Sequence, residues 1–141
     1  MTPADHSVPP HVPKPEGTCY LVICRDGPGA AEFRALHLDG HLEHVERHWT
    51  RYVTAGPLRE PGGEALVGSL FLVMGNSLAE VKALMEADPY LSCGMYASVE
   101  YKEFTNSIGQ FIGGKIWPSR EAIRHRAAGG PPDDVPKGLS G

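Results

Sequence analysis

The chain has 141 residues, 41% hydrophobic and 21% charged, with 13 basic and 17 acidic residues for a formal charge of −4. This length supports one domain with one modest core. The weak negative charge and the lack of a basic block make nucleic acid and anionic membrane poor partners, and the longest apolar run, near Leu70 to Met74, is far too short to cross a bilayer.

Residues 1–17 hold five prolines and two histidines and read as a disordered or draped arm without the apolar core of a secretion signal. Thr18 to Cys24 reads as a strand, ended by the turn sequence Arg25-Asp26-Gly27-Pro28-Gly29. Ala30 to Tyr52 is broadly helical. Gly40 in its middle costs about 1 kcal/mol against alanine and marks either a kink or a close approach to a neighbour. His37, His41, His44 and His48 fall on one stripe of this helix. The next stripe, Leu38, Leu42, Val45, Trp49 and Tyr52, is apolar and is expected to be the buried face. The imidazoles would then edge a cleft with groups that titrate near neutrality.

Val53 and Thr54 lead into Ala55-Gly56-Pro57, a turn or strand entry, and Glu60 to Glu64 is a hairpin loop built on Pro61, Gly62 and Gly63. Ala65 to Met74 is a second strong strand. A helix follows, with Ser77 as its cap, Glu80 as the capping-box partner, and Leu78, Val81, Leu84 and Met85 as its buried face. Asp88-Pro89 stops it. Met95 to Phe104 alternates as a strand. Beyond it, Phe111, Ile112, Ile116 and Trp117 are interrupted by glycines and would reach onto a partner subunit or line a pocket mouth. Ser119 to Ala128 reads as a short helix, and 129–141 as a flexible tail. The expected organisation is therefore an arm (1–17), a domain (18–104), an extension (105–128) and a tail (129–141).

Strand, helix, strand, strand, helix, strand is the α+β, ferredoxin-like β-α-β-β-α-β pattern. Two helices cover one sheet face. A second copy placed face to face is the economical cover for the other, so a homodimer is expected. Cys19, Cys24 and Cys93 are odd in number and without ligand spacing, which fits a reduced, cytoplasmic compartment and buried filler.

Tyr20-Leu-Val-Ile-Cys-Arg-Asp26, Thr54-Ala-Gly-Pro57, Gly68-Ser69, Ala87-Asp-Pro-Tyr90, Gly94-Met-Tyr96 and Lys102-Glu-Phe104 together resemble the YciI-like (YCII-related) family of the dimeric α+β barrel superfamily, over about residues 19–104. The resemblance implies an active-site pair of a first-helix histidine and the aspartate of the Asp-Pro element. The aspartate is Asp88. The histidine is His41, with His41-Leu42 matching the family's step. His37 is the rival, because Arg34-Ala-Leu-His37 reproduces the family's arginine-to-histidine spacing, whereas the residue three before His41 is Leu38. The family's resemblance extends to dehydrochlorinases of hydroxylated aromatics, and its superfamily to lactone isomerases and ring-handling monooxygenases.

If His41 and Asp88 meet, the carboxylate holds one ring nitrogen and makes the other the better base. That suits proton-transfer elimination or isomerisation of a small ring compound. The alternative is a non-catalytic binder or pathway accessory of the same fold. No nucleophile elbow supports acyl transfer, and no dinucleotide or phosphate motif supports a nucleotide cofactor. Arg34 either steers an anionic substrate or pairs with Glu32 or Asp39. Tyr90, Tyr96 and Trp49 are candidates for an aromatic pocket, with Tyr101. His37/His41 and His44/His48 have the i,i+4 spacing of metal-ligating pairs, but such pairs are usually solvated or packed, and neither a metal nor a cofactor is expected.

Overall fold

The computed structural model describes residues 12, 15, 17–115 and 119–127. Apart from residues 12, 15 and 17, the expected arm lies outside the described residues, as do the tail and Ile116 and Trp117. A four-stranded antiparallel sheet in the order β2-β3-β1-β4 is made by β1 (Thr18–Asp26), β2 (Tyr52–Arg59), β3 (Leu66–Gly75) and β4 (Tyr96–Phe104). This is the ferredoxin-like arrangement expected from the element order. The two middle strands pair in register from Thr18↔Gly75 to Arg25↔Gly68. Tyr20, Val22, Cys24, Phe71 and Val73 therefore point to one face, where they form the core with Val81, Leu84 and Met85.

The long first helix is two helices. α1 (Ala30–Leu36) ends at His37, which also begins α2 (Leu38–His48), and a 3₁₀ turn, Trp49–Arg51, hands the chain to β2. The break falls at His37 rather than Gly40. Gly40 instead marks a close approach: a Cβ there would stand 3.0 Å from Pro89 Cγ. That contact sets how α2 lies. The face carrying His41, His44 and His48 turns inward, with His44 buried, while Leu38, Leu42 and Trp49 of the apolar stripe stay exposed. The expectation that the apolar stripe is the core face is thus corrected.

α3 (Leu78–Glu86) is capped as expected. Ser77 Oγ accepts from Glu80 N at 3.1 Å, and Glu80 Oε2 accepts from Asn76 N at 3.0 Å. Its buried residues are Val81, Leu84 and Met85, whereas Leu78 is 41% exposed, at the first turn and beyond the core's edge. Arg51 ties this end down through Met74 O and a 3.0 Å ion pair with Glu80. Asp88 closes α3 and caps α4 (Pro89–Ser92), whose first residue is the proline.

In the extension, β5 (Ile108–Gly109) and β6 (Gly114–Lys115) form a small ribbon around a 3₁₀ turn, and α5 spans Arg120–Ala127 with Ser119 Oγ accepting from Ala122 N. Asn106 Nδ2 donates to the buried Cys19 sulfur at 2.9 Å, on the sheet face away from α2 and α3. Phe111 is 83% exposed.

Candidate active site

Asp88 is placed by backbone logic. The residue before a proline avoids helical angles, and at φ −78°, ψ 124° it sits in the extended region between α3 and α4. Its carboxylate turns back over the start of α4, where Oδ1 accepts from Tyr90 N at 2.9 Å. The side chain is 0% exposed. Against it stands His41, one turn into α2, with Nδ1 at 2.9 Å from both Oδ1 and Oδ2. The donor is Nδ1–H, because a buried carboxylate accepts only, and this leaves Nε2 on the opposite side of the ring as the acceptor. The Tyr90 ring lies flat on the imidazole, with centroids 3.8 Å apart and planes 5° apart. Tyr90 OH donates to Arg34 O at 3.1 Å, so α4 holds both the ring and the end of α1.

His41 and Tyr90 stand at the polar end of a cavity of about 600 Å³ between α2 and the β2–β3 edge. Its wall is the apolar stripe of α2, Leu38, Leu42, Val45 and Trp49, facing Tyr52, Ala55, Pro57, Leu66 and Phe71. The stripe that was expected to fill the core lines this space. Trp49, at 69% exposure, and Tyr52 also border a second cavity of about 730 Å³ toward Arg51, Asn76 and Phe111. Burial pushes the Tyr52 hydroxyl up to about 12, with the charge of Asp88 adding to the effect, so it stays protonated.

Arg34 reaches the same cavity, but its ion pair is with Asp26, by two bonds of 2.6 and 2.9 Å, and not with Glu32 or Asp39. Its Nη2 also donates to Gly68 O at 3.2 Å and to Ser69 Oγ at 3.4 Å. β1 packs closely on β3 at Gly68, where a Cβ would collide with Cys24 O. Tyr96 is behind this cluster rather than in the lining, with its OH 2.8 Å from Ser69 Oγ. Burial, countered in part by the Ser69 bond, leaves its hydroxyl pushed up to about 12.

Of the sequence candidates, His41, Asp88, Tyr90, Arg34 and Trp49 converge here. His37 does not: it is the junction of α1 and α2, its ring stacks on Phe33 at 6.4 Å, and it is not among the residues lining the cavity. Asp26 and Ser69 were missed. Asp26 read as a turn residue, and Ser69 had no neighbour in sequence to signal chemistry; only the β1–β3 pairing shows their common address. Burial pushes the Cys24 thiol up to about 12, with Asp88 and Asp26 adding, which makes it a poor nucleophile. Among the described residues no three metal-ligating side chains gather, and no helix is long and apolar enough to cross a membrane.

Residues 18–105 match the YCII-related domain. The chain is 29% identical over 92 residues to Protein YciI of Escherichia coli O6:H1 and, equally, of Shigella flexneri, spanning 60% of this chain and 94% of each relative. Among solved structures it is similar to 5-chloro-2-hydroxyhydroquinone dehydrochlorinase from Burkholderia phenoliruptrix, in complex with 2,5-dihydroxybenzoquinone. The TM-score is 0.57 at 23% identity, over 65% of this chain and 96% of that one, a likeness of fold. By the match across its whole α+β domain, the chain belongs to the YCII-related family.

Proposed function

We propose that the protein is a small-molecule enzyme that moves a proton with the His41–Asp88 pair, eliminating from or isomerising a small hydroxylated ring compound held in the α2–β3 cavity. The observation that carries this reading is one contact: a carboxylate 0% exposed, 2.9 Å from His41 Nδ1, at the polar end of a mainly apolar cavity. A buried carboxylate fixes the tautomer and stabilises the imidazolium that forms when Nε2 takes a proton. The fold neighbour, named as a dehydrochlorinase and solved with a dihydroxybenzoquinone, suggests the ligand class.

For a ring tautomer with chlorine on a tetrahedral carbon, Nε2 takes the proton of a conjugated hydroxyl. The oxygen becomes a carbonyl, the electron pair moves through the ring, and chloride leaves, for a net loss of HCl. His41 then returns the proton to water. The working unit on this reading is a homodimer. Leu21, Ile23 and Leu70 point to the sheet face away from α2 and α3, where a second copy would cover them.

The test is chloride release from 5-chloro-2-hydroxyhydroquinone under nitrogen, together with exchange of ring hydrogens in D₂O. Wild type is expected to show one or both, and His41→Gln and Asp88→Asn to lose them by about 100-fold or more. Ligand binding with neither reaction would leave the non-catalytic binder as the correct reading.

A further inference from the structure

A further polar group of the cavity is Ser69, which is buried to 7% exposure and lies on β3 among the lining residues. Its Oγ is approached by two donors. Arg34 Nη2 stands at 3.4 Å, and a guanidinium can only donate. Tyr96 OH stands at 2.8 Å. The Tyr96 hydroxyl donates to Ser69 Oγ. With Tyr96 donating to Oγ and the longer Arg34 contact beside it, the serine's own hydrogen is free to point out of the cluster. We propose that Ser69 is a hydrogen-bond donor to a ligand oxygen in this cavity, polarised from behind by Arg34 and Tyr96, and that the ligand it selects carries an enolate, phenolate or quinone oxygen. The assignment rests on the function proposed above for the ligand class, and it adds the group that receives the charge when His41 withdraws a proton.

The electrostatics of the site sharpen that choice of ligand. Arg34 is neutralised by two bonds to Asp26, and His41 faces Asp88. The charged rim residue Glu46 is acidic. Among the described lining residues no unpaired cation is left to hold a carboxylate or a phosphate, whereas a hydroxyl dipole backed by the Tyr96 donor suits an oxygen whose charge is delocalised over a ring. A donor aimed where charge develops acts most strongly when it is pre-set and shielded from water, as the buried Ser69 is on β3, between β2 and β1.

The experiment titrates 2,5-dihydroxybenzoquinone into the full-length protein, following the ligand's visible absorption, for wild type, Ser69→Ala, Ser69→Thr and His41→Gln. Chloride release from 5-chloro-2-hydroxyhydroquinone is measured on the same set. Ser69→Ala is expected to bind about tenfold more weakly and to shift the bound ligand's absorption toward that of the free form. Ser69→Thr keeps a hydroxyl and is expected to recover most of the binding. His41→Gln is expected to bind while releasing no chloride.

Wild-type affinity and spectrum in Ser69→Ala would overturn the donor role even if chloride release remains dependent on His41. Ser69-dependent binding without any His41-dependent reaction would remove the catalytic reading and leave the donor standing. No binding by folded wild-type protein sinks both. Equal loss in the alanine and threonine variants, with melting curves like wild type, would assign Ser69 to packing.

Discussion

Replacing Asp88 probes the centre of the site without any substrate. The carboxylate is fully buried, takes His41 Nδ1 on both oxygens and caps α4 through Tyr90 N. Loss of the cap costs about 1 kcal/mol, and loss of a hydrogen bond to a charged group about 1.5–3 kcal/mol. Asp88→Ala should therefore destabilise the fold by roughly 3 kcal/mol. Asp88→Asn keeps one acceptor oxygen and a similar shape, so its cost should be about 1 kcal/mol. With a urea dependence of about 1–3 kcal/mol per molar, the alanine variant's midpoint should fall by about 1–3 M at unchanged slope. The cycle with His41→Gln should show a coupling of about 1 kcal/mol or more, as expected of groups in direct contact. An alanine variant within about 0.5 kcal/mol of wild type, or additive single changes, would refute the claim that this contact is formed and buried in solution.

Gly68→Ala should cost about 2–3 kcal/mol in a thermal or urea melt, because its Cβ would collide with Cys24 O and part the two middle strands. Gly40→Ala gains about 1 kcal/mol of helix propensity but meets Pro89 at 3.0 Å. Near wild-type stability with several-fold weaker activity is expected, measured by urea melts and chloride release. His44 is buried with Nε2 unpartnered among the described residues, and burial lowers its imidazole below the ordinary value despite the charge of Asp88. Its proton thus binds more readily in the unfolded chain. Its contribution makes stability fall as pH drops through about 6.5 toward the lowered folded value. His44→Leu should flatten that part of a stability-versus-pH curve. Trp49→Ala, removing an exposed cavity wall, should leave the melt unchanged and weaken dihydroxybenzoquinone binding a few-fold by titration, roughly the effect of losing part of one apolar contact.

The strand-helix order and the Ser77–Glu80 capping box were legible from residue patterns, whereas the strand register was not. The order and the cap are set by interactions a few residues long or by strict alternation. The catalytic candidates were legible only in part. Asp-Pro announced a helix stop, and the family spacing pointed to His41 and His37 alike. Sequence could not choose between them, since both lie on a helical stripe. The choice came from the helix break at His37 and from Gly40 resting on Pro89, which set the roll of α2.

What the sequence determined by itself is the α+β chain of elements and the supply of histidines and carboxylates, because local periodicity and caps act within one or two turns. What only the tertiary structure decided is which of them meet. The inward turn of the histidine stripe, the exposure of Leu38, Leu42 and Trp49 around a cavity, and the Arg34–Asp26–Ser69–Tyr96 cluster all depend on contacts between residues 8 to 47 positions apart or more. Such contacts are fixed by how strands and helices pack, and a hydrophobic pattern cannot distinguish a face that fills a core from one that lines a cavity.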